Sequence, residues 1–210
     1  MKYTQSPVFV CLIFLLASPD SVFCQSTVDS PNTPTKEERY AKMQNKLVYP
    51  LIKGSYMTGV MPILFANDHP SSKKKIKLIF DFTQSTANKA QGTHVNEGLE
   101  EVARILNLHV AAGYKKENIK TVIVFHSGSI ISILNDSYYA SKYQSDNPNK
   151  QMLGLLSGVG ASFVVCGQSA SLREIGPSEF LPEIKFAVSA RTTLTKYQDE
   201  GYILFAIGEH

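Results

Sequence analysis

The feature that most constrains the fold is an alternation of short apolar runs with helical segments between Lys75 and Ile207. The apolar runs are rich in β-branched and aromatic residues, and apolar residues recur at three- and four-residue intervals between them. Such alternation requires crossover connections, which favour a mostly parallel sheet with helices on both faces. The sequence therefore predicts an α/β domain with a five-stranded sheet, whose strands are Ile76–Phe82, Thr121–His126, Ser162–Cys166, Phe186–Ser189 and Tyr202–Ile207.

Segments with helical signals lie between these strands. The predicted helices are Val95–Gly113, a short piece over about residues 129–135, a helix that Asn147 and Pro148 open, and Arg191–Glu200. Tyr138, Tyr139 and Tyr143 are predicted to lie between helices, where they line a pocket, form a subunit contact or pack in the core.

The first residues have the layout of a secretory signal peptide. Lys2 precedes the apolar run Val8–Ala17, and the polar, turn-forming segment Ser18–Asp20 follows it. The run is too short to cross a membrane, which requires about 20 apolar residues. We therefore predict a signal peptide over residues 1–24 and an exported protein, periplasmic or secreted, without a membrane span.

The position of cleavage decides how many thiols remain. Cleavage after Cys24 would begin the mature chain at Gln25 and leave Cys166 as its single cysteine. The alternative is a lipoprotein acylated on Cys24, which the bulky Phe23 disfavours. In an oxidising compartment an unpaired thiol is either well buried or reactive.

Three further segments follow the predicted signal. Residues 25–34 are small, polar and proline-containing, which predicts a disordered leader. Residues 35–74 are predicted to form an N-terminal helix, opened by a capping box from Thr35 to Glu38, and an irregular extension rich in glycine and proline. Residues 75–210 form the predicted α/β domain.

Composition and spacing exclude several classes of function. The chain of 210 residues has a net charge of +3, and its one basic cluster, Lys73–Lys77, lacks interleaved aromatic residues, so we expect no nucleic-acid binding. The five histidines show no paired ligand spacing, and a single mature cysteine cannot form a structural zinc site. Phosphate-loop, dinucleotide and serine-hydrolase motifs do not occur in the sequence, and we expect no cofactor or metal.

Candidate site residues follow from the strand prediction. In parallel α/β sheets, ligands and catalytic groups gather beyond the carboxyl ends of the strands. This rule singles out pairs of residues at the ends of the predicted strands and the glycines beside them: Asp81 and Thr83, His126, Ser127 and Gly128, Cys166, Gly167 and Gln168, and Ser189 and Arg191.

Two of these residues, Cys166 and His126, have reactive side chains. A cysteine between a strand end and a helix start lies near unpaired amides and the positive end of a helix dipole, which lowers its pKa and favours the thiolate. His126 would add positive charge or shuttle a proton. The alternative is a thiol that only fills space in the core, beside a structural histidine.

From Lys75 to Ile207 the chain resembles the DsrE/DsrF-like proteins, which have the YchN-type fold, and in particular their exported single-domain members. The matching segments are Lys77–Asp81, Val95–Leu99, Val122–Gly128, Val165–Ala170 and Ser189–Ile203. The resemblance implies a three-layer α/β domain that assembles into homotrimers or hexamers. It also implies that Cys166 occupies the position at which sulfur-relay members carry a persulfide.

The chain departs from those relay members at two points. They act in the cytoplasm with partner sulfurtransferases, whereas this chain is predicted to begin with an export signal. Their cysteine is followed by a basic helix start rich in small residues, whereas Gly167-Gln168-Ser169 follows Cys166 here.

Three hypotheses for function follow. In the first, Cys166 thiolate accepts sulfane sulfur from a donor protein and passes it to an acceptor, without a cofactor, and His126 tunes or protonates the site. In the second, the protein is a non-catalytic oligomeric module that binds a small ligand or a partner protein at the strand-end crevice. The third is a hydrolase or transferase built on His126 and Asp81.

Overall fold

Five parallel strands form the centre of the fold in the computed structural model, which describes residues 34–71, 73–85 and 93–208. The sheet has the order β4-β3-β2-β1-β5, and each pair of neighbours is parallel. This confirms the predicted α/β fold with a five-stranded sheet. The strands are β1 (Ile76–Phe82), β2 (Ile119–Phe125), β3 (Ala161–Cys166), β4 (Lys185–Ala187) and β5 (Ile203–Ile207).

Six α-helices accompany the sheet within the described residues. Shorter 3-10 segments cover Tyr56–Thr58, Lys116–Asn118, Ser127–Ile133 and Pro177–Glu179. The helices are α1 (Lys36–Gln44), α2 (Glu97–Ala111), α3 (Asp136–Tyr143), α4 (Lys150–Gly158), α5 (Gly167–Ser171) and α6 (Ala190–Asp199). In the part of the chain that the structure describes, no helix is both long and apolar enough to span a membrane.

The two faces of the sheet are packed separately because successive side chains of a strand point in opposite directions. On one face, aromatic residues such as Phe80 and Phe125 pack with apolar residues of α2 and α4. On the other face, Ile79, Val124 and Cys166 pack beneath α6 in a smaller cluster. Helices therefore cover both faces, as the sequence predicts.

The predicted boundaries of several elements are wrong by a few residues. The strand that was expected to include His126 ends at Phe125, and the strand expected to reach Ser189 ends at Ala187. Ser189 instead caps α6, where its Oγ accepts a hydrogen bond from Thr192 N at 3.2 Å. A serine side chain competes with strand pairing by bonding to nearby backbone, so it favours a cap.

The region from 127 to 158 differs most from its prediction. The helical piece expected near 129–135 is a 3-10 segment, and the tyrosines that follow it belong to α3, which the sequence did not predict. Asn147 does not cap a helix; it is buried, and its Nδ2 donates to Ser132 O and Leu134 O at 3.0 and 2.7 Å. The next helix consequently begins at Lys150, after Asn149.

The described residues include the predicted N-terminal helix and the irregular extension that follows it. Helix α1 begins at Lys36, directly after Thr35, as the predicted capping box indicates. The described part of the segment between α1 and β1 is irregular apart from its 3-10 turn and an isolated antiparallel bridge between Val48 and Val60, as expected from its glycines and prolines. The predicted signal peptide, and the predicted disordered leader up to residue 33, lie outside the described residues.

Candidate functional site at the carboxyl ends of the strands

Strand register brings Asp81, His126 and Cys166 to one face of the sheet. Asp81 pairs with Val124, and Val124 pairs with Val164, so these residues point to the same side. His126 and Cys166 lie two residues beyond Val124 and Val164 on neighbouring strands, and His126 keeps an extended backbone. The three side chains therefore share the α6 face near the carboxyl ends of the strands.

His126 and Asp81 form a direct pair. His126 Nε2 lies 2.5 Å from Asp81 Oδ1, and the side chains are 23% and 28% exposed. The backbone supports this position, because His126 N donates to Phe82 O on β1 at 3.2 Å. The second ring nitrogen, Nδ1, lies 3.5 Å from Ser127 Oγ. A protonated His126 would form a partly solvated ion pair with Asp81.

Cys166 is the last residue of β3 and the cap of α5, and it is only 5% exposed. Burial alone raises the pKa of its thiol, and this is the largest single influence. Hydrogen bonding by the Ser169 hydroxyl and by the backbone amides of Ser169, Ala190 and Gln168 together outweighs burial. The pKa of Cys166 therefore lies below its usual value, as the sequence predicts for a cysteine at a helix start.

The amide of Ala190 reaches Cys166 because two segments approach closely at Gly167. Cys166 pairs with Ala187 on β4, and α6 begins three residues after Ala187. A Cβ atom on Gly167 would lie 2.7 Å from Ala187 O, closer than such atoms can approach. Glycine at this position therefore allows α5 and the start of α6 to meet at the sulfur.

Ser169 is a site residue that the sequence reasoning missed. It is 8% exposed, and its Oγ accepts a hydrogen bond from Ser127 N at 3.0 Å. Ser127 has a φ of 56°, a conformation that non-glycine residues rarely adopt. The hydrogen bond from Ser127 N to Ser169 Oγ therefore forms with an unfavourable backbone conformation at Ser127. Its sequence signal is its position: a serine three residues after a helix cap can reach back to that cap.

The other predicted residues fall into two groups. Gln168 and Arg191 are exposed in the first turns of α5 and α6, next to amides that act on Cys166. Thr83 instead bonds to β5, where its N and Oγ1 donate to Ile207 O at 2.8 and 3.2 Å. Because β5 borders β1 on the side away from β3, Thr83 is turned away from the thiol.

Gly128 has a packing role in the structure. A Cβ atom at this position would lie 2.6 Å from Ser85 Oγ, so the glycine allows the 3-10 segment after β2 to contact the segment after β1. Within the described ranges, no three histidine, cysteine, aspartate or glutamate side chains come together as metal ligands would.

Comparison with known proteins identifies a family and solved structures that are similar to this chain. A family model described as the DsrE/DsrF-like family matches residues 64–206. A solved structure of a protein of unknown function from Methanobacterium thermoautotrophicum is similar, with 15% sequence identity and a TM-score of 0.45. That similarity covers 63% of this chain and 99% of the archaeal chain. No protein among the curated sequences matches.

Proposed function

Since the chain belongs to the DsrE/DsrF-like family, we propose that it handles sulfane sulfur through a persulfide on Cys166. The observation that carries this proposal is the set of hydrogen-bond donors around Cys166, which come from the starts of α5 and α6 and lower its pKa. Sulfur transfer requires a thiolate, because the thiolate and not the thiol is the nucleophile. A cysteine that only filled space would gain nothing from donors directed at its sulfur.

The proposed reaction is an exchange between sulfur atoms. Cys166 thiolate attacks the outer sulfur of a donor persulfide, R–S–SH, and a new S–S bond forms on Cys166. The S–S bond of the donor breaks, and its electron pair leaves with the donor thiolate, R–S⁻. The products are R–S⁻ and a Cys166 persulfide, so the exchange requires no net oxidant or reductant. The reverse exchange with an acceptor thiolate returns Cys166 to its starting state.

His126 has a separate role in this proposal. It would donate a proton to the departing R–S⁻, so that the donor is released as R–SH, while Asp81 orients the ring through the contact at Nε2. The partial exposure of the pair, 23% and 28%, would allow the proton to be replaced from solvent. This role concerns the leaving group, so it affects sulfur transfer more than the simple reactivity of the thiol.

The burial of Cys166 supports a second candidate function. A thiol that is 5% exposed is difficult for a bulky donor to reach. In this alternative the protein is a non-catalytic module that binds a small ligand or a partner protein at the crevice beyond the strand ends. The two functions differ in the accessibility of the sulfur to a small reagent in the native state.

We further propose export and self-association. The layout of residues 1–24 supports export to the periplasm or the medium, with cleavage before Gln25. Apolar side chains exposed on both edge strands support a closed homo-oligomer, either a trimer or a hexamer: Phe186 on β4 is 47% exposed, and Ile203 on β5 is 52% exposed. Light scattering that gives a monomer at micromolar concentration would contradict self-association.

Mass spectrometry of the protein as isolated tests the proposal most directly. A persulfide adds about 32 Da to the peptide that contains Cys166. Incubation with a small persulfide donor should produce this addition in the wild type and not in Cys166→Ser. The same spectrum reports whether the chain begins at Gln25 or carries a lipid on Cys24. A native Cys166 that resists both persulfidation and alkylation until denaturant is added would refute sulfur handling and leave the binding module.

His126→Ala is the matching test of the proton donor. We expect this variant to accept sulfur more slowly than the wild type and to be alkylated by iodoacetamide at nearly the same rate. Alkylation needs no proton for its iodide leaving group, so the two assays separate leaving-group protonation from thiol reactivity. An equal slowing of both reactions would show that His126 acts on the thiol itself.

A further inference from the structure

A cavity lies away from the thiol, between the irregular segment that contains Lys53 and helices α2 and α4. Its volume is about 290 Å³, which is near the lower limit of about 300 Å³ for small-molecule sites. Apolar residues of its wall belong to the core on the α2 and α4 face, opposite Cys166. Residues that line it include Lys53, Ser55, Val95, Glu100, Gln151 and Leu155.

Glu100 is the unusual member of this lining. The residue is 7% exposed, and its carboxylate has no hydrogen-bond or ion-pair partner among the described residues. Its neighbour Glu101 is the reverse case: it is half-exposed and binds Arg104 through contacts of 2.7 and 2.8 Å. Buried charges in proteins are normally paired. A carboxylate on a mostly buried residue that lines a cavity without a protein partner is therefore suited to a ligand that brings a positive group.

The segment opposite α2 is fixed in place, so the cavity is not a product of loose packing. Asn107, fully buried on α2, accepts hydrogen bonds from Leu51 N and Ile52 N at 2.8 and 2.9 Å. Its Nδ2 donates to Ile52 O and Thr58 O, both at 2.8 Å. One side chain thus holds both ends of the segment against the helix.

The remaining wall is fixed in a similar way. Asn96, at the start of α2, donates from its backbone N to Asn149 Oδ1 at 2.7 Å, just before α4 begins. A Cβ atom on Gly54 would lie 2.6 Å from Met152 Cε, so the segment packs closely against α4 at this position. The three elements are therefore held at fixed separations, and the space that remains between them is a preformed cavity.

We propose that this cavity binds a small molecule with a primary ammonium group and a short aliphatic body. Glu100 would pair with the ammonium, and the side chains of Val95 and Leu155 would contact the aliphatic part. Lys53 and Gln151, both exposed at the cavity, would accept a carboxylate if the ligand has one. The shared chemistry is the ammonium group, which either a simple amine or a free amino acid supplies. This site is independent of the proposed sulfur transfer.

Titration of the purified protein followed by amide NMR tests the site with three probes: n-pentylamine, norleucine and valerate. The amine should produce saturable shifts around α2 and α4, and valerate should produce none. Tighter binding of norleucine than of the amine would indicate an amino acid as the natural ligand, and weaker binding would indicate a simple amine. Cys166→Ser should bind the probes as the wild type does, so failure of the sulfur chemistry would not affect this result.

Glu100→Gln removes the charge and keeps the shape, so it should weaken amine binding about tenfold or more. Glu101→Gln is the matched control: it makes the same change at the neighbouring, half-exposed residue and should leave amine binding unchanged. Leu155→Phe fills the cavity from its apolar wall and should abolish binding. It provides an independent test if Glu100→Gln proves unstable. Any of three results would overturn the proposal and leave a cavity that holds water only. These are the absence of saturable shifts with the amine, binding of valerate as tight as that of the amine, and amine binding by Glu100→Gln equal to that of the wild type.

Discussion

Replacement of Ser169 with alanine tests whether its hydroxyl stabilises Cys166 thiolate. The hydroxyl is among the groups that lower the pKa of Cys166. Its oxygen accepts from Ser127 N at 3.0 Å, which leaves the hydroxyl proton available to the sulfur. At 8% exposure, little water can take the place of this donor. We therefore expect the pKa of Cys166 to rise in Ser169→Ala.

The size of the effect follows from the energy of one hydrogen bond to a charged group, about 1.5–3 kcal/mol. The amides of Gln168, Ser169 and Ala190 remain in the variant, so the lower end of this range applies. An energy of about 1.4 kcal/mol corresponds to a factor of ten in an equilibrium constant. The thiolate fraction at neutral pH, and with it the rate of alkylation, should fall about tenfold.

The assay is the rate of iodoacetamide alkylation as a function of pH. Ser171→Ala serves as the control, because Ser171 is exposed on the same short helix. Ser169→Thr retains a hydroxyl and should recover much of the rate. Thermal unfolding must accompany the kinetics, since loss of Ser169 Oγ also leaves Ser127 N without its partner, at a cost of about 1–3 kcal/mol. A folded Ser169→Ala variant whose pH profile matches the wild type would refute the role of the hydroxyl.

Two further predictions concern the same region. Gly167→Ala should destabilise the fold by about 1–3 kcal/mol and slow the alkylation of Cys166, because a Cβ atom would meet Ala187 O at 2.7 Å and displace the start of α6. Gly154→Ala is the control: nothing lies within 4 Å of a Cβ atom there, so this variant should be as stable as the wild type or more stable in a thermal melt. The pKa of Cys166 is lower in the folded state, so the thiolate's stabilising contribution is fully present above the unfolded-state pKa and is lost as pH falls through the folded-state pKa. Denaturant titrations should therefore show the stability of the wild type relative to Cys166→Ser declining as pH is lowered from the usual thiol pKa of 9.0; an unchanged difference would mean that the pKa is not shifted.

Local pattern in the sequence was sufficient for the architecture. Apolar β-branched runs such as Val122–Phe125 are buried on both faces of the sheet, and this burial produces a continuous apolar signal that can be read without the structure. Parallel pairing then follows from the helices between strands, and it places Asp81, His126 and Cys166 near one edge. The reduced pKa of Cys166 was also predictable, because its position between a strand and a helix is a local property.

Local pattern was insufficient where distant segments compete. The tyrosine-rich helix α3 was missed because its weak polar sequence is stabilised by tertiary contacts, such as those of the fully buried Tyr139. Asn147 has the sequence of a helix cap, yet the carbonyls of Ser132 and Leu134 bind its side chain instead. Tertiary hydrogen bonds in a buried site outweigh a capping preference of about 1 kcal/mol.

The sequence by itself determined the strands, their order of appearance along the chain and the thiol at the end of β3. The tertiary structure alone decided which groups surround that thiol. Ala190 lies 24 positions after Cys166 in the sequence, and its amide reaches the sulfur only because β4 pairs with β3 and Gly167 allows the close approach. Likewise, His126, which directly follows β2, contacts Asp81 on β1 rather than Cys166 on β3. Side-chain partners at a sheet edge depend on register and on the fit between neighbouring segments, which no local pattern contains.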